Sequence, residues 1–147
     1  MSEQPVAIVT GAGDGIGFAC AVTFAANGYR VVIADINGAK ANIRAKELGP
    51  EHLALTCDVS DDESVANAVS ATQEQWRRID VLVNNAGIGA PHKSTLDQSA
   101  EDFSRVLDVH LKDTFLVSRE VIRQMVAQGG ASIVNLSSIA GVVGLPK

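Results

Sequence analysis

Five short runs of apolar, mostly β-branched residues punctuate the chain, and between them apolar positions recur at helical spacing. The runs are Val6 to Val9, Arg30 to Ala34 (RVVIA), His52 to Cys57 (HLALTC), Ile79 to Val83 and Ala131 to Leu136. Each is apolar almost throughout rather than alternating, as expected of strands covered on both faces. Ile16 to Asn27 reads as a helix stopped by Gly28, and Ala39 to Leu48 as one closed by Gly49-Pro50. A third helix is expected to start in Asp58–Glu63, where Ser60 stands three residues before Glu63 as in a capping box, and to run to about Arg77. A long helix is predicted from Ser99 to Gln128, with Phe103, Val106, Leu107, Leu111, Phe115, Ile122, Met125 and Val126 at core-like spacing and Gly129-Gly130 as its stop. Ile88 to Asp97 mixes turn residues and reads as a loop, and Ser137 to Lys147 as a tail of small residues.

Strands of four to six residues alternating with helices imply βαβ units, hence a parallel sheet with helices on both faces. The expectation is a doubly wound α/β fold of the Rossmann type, forming one nucleotide-binding domain over residues 1–147.

Composition narrows the function classes. The 147 residues are 46% hydrophobic and 20% charged, with a net charge of −5 and no basic cluster. Nucleic acids and anionic membranes both require concentrated Lys and Arg, so neither is expected as a partner. Cys20 and Cys57 are too few and too far apart for a disulfide framework or zinc site, and read as free thiols in a reducing compartment. His52 and His92 have no carboxylate or cysteine at ligand spacing, so no metal site is expected. Met1 to Pro5 lacks the basic and apolar regions of a leader, and no apolar run approaches the roughly 20 residues of a membrane span. A cytoplasmic, soluble protein is the expectation.

Chemistry concentrates where runs end. The first run passes into Thr10-Gly11-Ala12-Gly13-Asp14-Gly15-Ile16-Gly17, between a predicted strand and a predicted helix. Glycines there let the backbone approach a pyrophosphate, and the helix N-terminus offers free N–H groups. By itself such a loop also fits flavoproteins and methyltransferases. Asp35 ends the second run, followed by Ile36, and stands 18 residues after Gly17, where a carboxylate can accept from an adenosine ribose. A 2′-phosphate would meet the charges of Asp35 and Asp14, and the sequence places no Arg or Lys beside either, so NAD is expected over NADP. Gly11, Asp35, Asp58, Asn84 and Ser138 all follow predicted strands, on the edge where open parallel sheets bind ligands.

These residues occur in a recognisable order. Thr10-Gly-x-x-x-Gly15-Ile-Gly17, Asp35, Asp58-Val59, Asn84-Asn85-Ala86-Gly87 and Asn135-Leu-Ser-Ser138 together resemble the short-chain dehydrogenases/reductases over essentially the whole chain. The resemblance implies NAD-dependent interconversion of an alcohol and a ketone or aldehyde by hydride transfer, on a small-molecule substrate, in a homo-oligomer. It implies that Gly11, Gly13, Asp14, Gly15, Ile16 and Gly17 hold the pyrophosphate end, and that Asp35 and Ile36 meet the ribose. Asp58 and Val59 would meet the adenine, while Asn85, Ala86 and Gly87 line the nicotinamide end and Asn84 steadies the central strands. Ser138 matches the catalytic serine, which hydrogen-bonds the substrate oxygen.

The sequence also departs from that pattern. His110, in Val109-His-Leu-Lys-Asp-Thr-Phe115, occupies the place of an asparagine that helps position the active-site lysine. The family's Tyr-x-x-x-Lys, which exchanges the proton, would fall beyond Lys147. The single tyrosine, Tyr29, lies in the turn before the second strand, at the end of the sheet away from the candidate site. By this resemblance the chain is an incomplete domain, truncated after the fifth strand, whose bare apolar edge invites self-association. A non-catalytic dinucleotide-binding module or inactive fragment is the alternative, and a methyltransferase using the same loop and Asp35 is a third reading.

Overall fold

The computed structural model describes residues 4–89 and 93–143. His92 and the end of the predicted tail lie outside them. Five parallel strands form one sheet in the order β3-β2-β1-β4-β5: β1 (Val6–Thr10), β2 (Arg30–Asp35), β3 (Leu53–Thr56), β4 (Val81–Asn84) and β5 (Ser132–Asn135). Connecting them are α1 (Gly15–Ala26), α2 (Gly38–Leu48), α3 (Asp62–Trp76) and a long helix in two parts, α4 (Ala100–Leu107) and α5 (Asp113–Ala127). The chain starts in the middle of the sheet, winds outward through β2 and β3, then returns past β1 to β4 and β5. This reversal opens a crevice at the C-terminal ends of β1 and β4.

Strand periodicity divides the core. Val6, Ile8, Val32, Ala34 and Leu82 face α3 and α5, where they pack with Val65, Val69, Val117, Val121 and Met125. Ala7, Val9, Val31, Ile33, Val81 and Val83 face α1 and α2, where Ala21, Ala41 and Ala45 allow close approach. All five residues of β1 are buried, which explains its unbroken apolar reading. β5 is different, with only Ile133 packed on the core and Val134 about half exposed. It forms an edge of the sheet.

Three local readings are corrected. The cap of α3 is Asp61, whose carboxylate accepts from Ser64 N at 2.9 Å; the Ser60 hydroxyl instead donates to Asp58 Oδ1 at 2.7 Å. Ile79 lies before the β4 ladder because the Gln128 side chain bonds both its N–H (3.0 Å) and its carbonyl (2.6 Å). The long helix is interrupted by a π-helical turn, Asp108–Lys112, in which Asp113 N–H donates to the Asp108 carbonyl. The face it turns to the sheet is Asp113, Leu116, Val117, Val121 and Met125. Of the predicted core positions only Met125 is buried; Phe103, Leu107, Leu111, Phe115, Ile122 and Val126 are exposed. Both sides of this helix are apolar, and spacing alone could not tell which side meets the sheet.

Candidate functional site

Thr10, the last residue of β1, joins the two loops that form the crevice. Its hydroxyl accepts the backbone N–H of Asn85 and of Ala86, each at 3.0 Å. The Asn85 carboxamide donates back to the carbonyls of Thr10 (2.8 Å) and Gly11 (3.2 Å). Such closeness requires glycine at position 11, where φ is +62° and a Cβ would lie 2.8 Å from Ala86 Cα. Gly17 is equally constrained, since a Cβ would stand 2.4 Å from the Gly11 carbonyl oxygen. Gly15 is the contrast: φ is +52°, yet a Cβ there would meet nothing within 4 Å. The loop is packed hard behind and open in front, at the N-terminus of a helix, and this cradle fits a pyrophosphate.

Asp35 ties the end of β2 to this loop. Its Oδ2 accepts Gly13 N–H at 2.8 Å and its Oδ1 accepts Asn37 N–H at 2.9 Å. A carboxylate has about four acceptor positions, so two remain for hydroxyls of a ligand. Ile16 and Ile36 flank the loop with roughly two-thirds of their surface exposed, unusual for isoleucine beside a packed core. Asp58 sits beyond β3, its Oδ1 held by Ser60 N–H at 3.0 Å and its own N–H bonded to Ser64 Oγ at 2.9 Å, with Val59 buried beside it.

A cavity of about 720 Å³ gathers Gly11, Asp35, Ile36, Asp58, Val59, Asn85, Ala86 and Gly87. Gly13, Asp14, Gly15, Ile16 and Gly17 stand in the adjoining loop rather than in the lining. The opposite wall went unnoticed in the sequence: Glu101, Ser104, Arg105, Asp108 and Val109, from α4 and the start of the π turn. Cys57 also lines the cavity, and burial pushes its thiol up to about 11, so it stays protonated as an apolar wall.

His110 is brought to the crevice by the π turn. Its Nε2 lies 2.7 Å from the Ile88 carbonyl oxygen and 3.1 Å from Ile88 N, and its ring covers Gly87, where a Cβ would approach Cε1 to 2.7 Å. The tautomer decides which Ile88 group it bonds. π turns inside helices recur at functional sites. Asp113 closes the turn almost fully buried; burial raises its carboxyl above the usual range, and its bonds are to Thr114 of the same helix.

Ser138 lies three residues beyond β5, exposed and outside the cavity lining, with its carbonyl accepting Gly141 N–H at 3.0 Å. Its strand is tied to β4 by Asn84, whose side-chain amide donates to Asn135 Oδ1 at 2.8 Å and to Ser118 Oγ at 3.0 Å. Tyr29 packs edge-on against Phe24 at 5.1 Å, before β2 and away from the crevice.

The expectation that no cation stands near the loop is wrong. From α2, Lys40 Nζ lies 3.1 Å from Asp14 Oδ2, and Arg44 Nη2 lies 3.9 Å from Asp14 Oδ1. They lie 26 and 30 residues beyond Asp14 in sequence, and only the packing of α2 against the loop brings them in. The Gly15 N–H and Lys40 together hold the Asp14 carboxyl below its ordinary range. Among the described residues no helix is long and apolar enough to cross a membrane.

The family model described as short chain dehydrogenase matches residues 5–147. A D-threitol dehydrogenase of Mycolicibacterium smegmatis is 39% identical, over 99% of this chain and 56% of its own length. An NADH complex of a 3-ketoacyl-(acyl-carrier-protein) reductase from Brucella melitensis superposes with a TM-score of 0.89 at 36% identity, covering 94% of this chain and 59% of that one. An NAD+-bound xylitol dehydrogenase gives 0.92 at 33% identity, covering 98% and 56%. The chain thus spans a little over half the length of each of these proteins.

Proposed function

Because this chain belongs to the short chain dehydrogenase family, we propose that it forms the NAD(H)-binding part of an oxidoreductase that interconverts an alcohol and a ketone or aldehyde. The observation that carries the reading is the convergence of Gly11, Asp35, Asp58 and the Asn85–Gly87 loop on one cavity at the C-terminal edge of the sheet, with the rest of the glycine loop adjoining it. The glycine loop cradles the pyrophosphate, Asp35 uses its two remaining acceptor positions on the adenosine ribose, and Asp58 with Val59 meets the adenine. Bound nicotinamide supplies the hydride acceptor or donor. Ala86 and Gly87 border its end of the cavity, and His110 holds that border through Ile88. Ser138 donates to the substrate oxygen once substrate is present. The NADH and NAD+ bound in the two structural neighbours support the choice of nucleotide, while the relatives' differing substrates leave the alcohol unspecified.

A second reading is a dinucleotide binder without turnover. Tyr29 packs on Phe24 at the other end of the sheet, so proton transfer in the crevice falls to another group. Calorimetric titration with NADH and NADPH tests the nucleotide, and a dehydrogenase assay of the native, full-length gene product with a panel of alcohols separates the readings. NADH is expected to bind at least tenfold more tightly than NADPH. Tighter NADPH overturns the assignment of Asp35, and NADH binding without turnover on any alcohol favours the second reading.

A further inference from the structure

His52, in the turn before β3, sets its imidazole against β2 with only 3% of the side chain exposed. Its Nδ1 accepts the backbone N–H of Val31 at 3.1 Å. The pairing of β2 with β3 begins one residue later, at Val32 and Leu53, so the ring supplies the contact that precedes the backbone ladder. A backbone N–H can only donate, so Nδ1 must carry a lone pair and the imidazole must be neutral, with its hydrogen on Nε2. Nε2 lies 3.6 Å from Glu51 Oε1, whose side chain is about half exposed. Lys46 of α2 lines the same cavity of about 430 Å³ as the ring. On β2, Arg30 turns to the other face of the sheet, where it meets Gln4 and lies over Trp76, and Tyr29 just before the strand packs on Phe24. Burial outweighs the attraction of Glu51 and holds the imidazole below its ordinary value of 6.5.

We propose that His52 is a proton-sensitive latch on the edge strand β3: the neutral imidazole closes the start of the β2–β3 pairing, and protonation opens it. A proton on Nδ1 would set two donors face to face across a 3.1 Å contact. Val31 is fully buried, so water cannot take over the bond that its N–H loses. β3 lies at the edge of the sheet and pairs only with β2, so no second strand holds it while the latch is open. The unfolded chain takes up the proton near 6.5, and the folded chain only at lower pH. Stability from the neutral ring is therefore complete above 6.5 and is lost as pH falls from 6.5 through the lowered folded value. Acid loosens β3 from its N-terminal end, and a return to neutral pH closes it again.

The test compares the native, full-length protein with its His52→Asn and His52→Ala variants. Asparagine keeps an acceptor near the position of Nδ1 but does not titrate, and alanine removes the acceptor at every pH. Between pH 7.5 and pH 5, exchange of the Val31 amide hydrogen, corrected for its intrinsic pH dependence, should quicken at least tenfold in the unaltered protein, while that of Val9 in β1 stays unchanged. In His52→Asn the Val31 amide should keep its protection at both pH values, and in His52→Ala it should lose it at both. Imidazole nitrogen resonances of the unaltered protein should show Nδ1 without a proton at pH 7.5, and its protonation should accompany the loss of Val31 protection. Equal Val31 protection at both pH values, a proton on Nδ1 at pH 7.5, or the same pH dependence in His52→Asn would overturn the proposal. The two measurements on the unaltered protein decide the matter even where a variant does not fold.

Discussion

Asn85 is bound to Thr10 from both directions: its backbone N–H donates to the Thr10 hydroxyl at 3.0 Å, and its side-chain amide donates to the Thr10 carbonyl at 2.8 Å. One threonine thereby aligns the loop after β1 with the loop after β4. The two halves of the sheet meet here, and the junction fixes how the two loops lie against each other.

Thr10→Val keeps the shape of the side chain but leaves two N–H groups, of Asn85 and Ala86, without their acceptor. Losing an acceptor for a buried donor costs about 1–3 kcal/mol, so the loss for the two donors together is expected to be about 2–6 kcal/mol. Chemical denaturation checks this. Thr10→Ser retains the hydroxyl and is expected to recover most of the difference; equal loss in both variants would mean that the methyl packing, not the hydrogen bonds, holds the junction.

The His110 imidazole is expected to hold Ile88 and cover Gly87. In His110→Ala the amide hydrogens of residues 87 and 88 should exchange at least tenfold faster, while those of β1 stay unchanged. NADH affinity should weaken in parallel. Unchanged exchange at Ile88 together with unchanged NADH affinity would show that the loop is held from elsewhere.

Burial raises the Asp113 carboxyl above its ordinary value of 3.8, so folding makes it a weaker acid. The folded state binds the extra proton in the interval between 3.8 and the raised folded value. Stability from this group is therefore present at acid pH and is lost as pH rises through that interval. Asp113→Asn removes the buried charge and should melt higher than the unaltered protein at pH 7. The gap should close as pH falls toward 4. A variant that melts lower at pH 7 would show that the carboxylate is needed in its charged form.

Much of the fold could be read from the chain because the strands are covered on both faces and the glycines fall at the ends of helices. Val6–Thr10 is apolar without a break since all five residues are buried, and Gly129-Gly130 does follow α5. The doubly wound class and the placing of Gly11, Asp35, Asp58, Asn84 and Ser138 after strand ends were legible from strand alternation, but Asn84 and Ser138 stand outside the cavity lining. What stayed hidden depends on tertiary detail. No propensity signals that Asp108–Lys112 adopts a π turn, so neither the direction of His110 nor the sheet-facing side of α5 could be assigned. Ser60 matches a cap pattern, but the neighbouring Asp61 carboxylate takes that role and Asp58 takes the serine hydroxyl. Lys40 and Arg44 look like ordinary surface residues of an amphipathic helix until α2 is docked beside Asp14.

The most direct test of the central claim is NADH titration followed through backbone amide resonances. The account predicts saturable shifts centred on Gly11 to Gly17, Asp35, Ile36, Asp58, Val59 and Asn85 to Ile88 and reaching the facing wall at Arg105 and Asp108, with β3's N-terminal end and Tyr29 unmoved. Shifts centred on Tyr29 and the N-terminal ends of the strands, or no saturable shift at all, would contradict it.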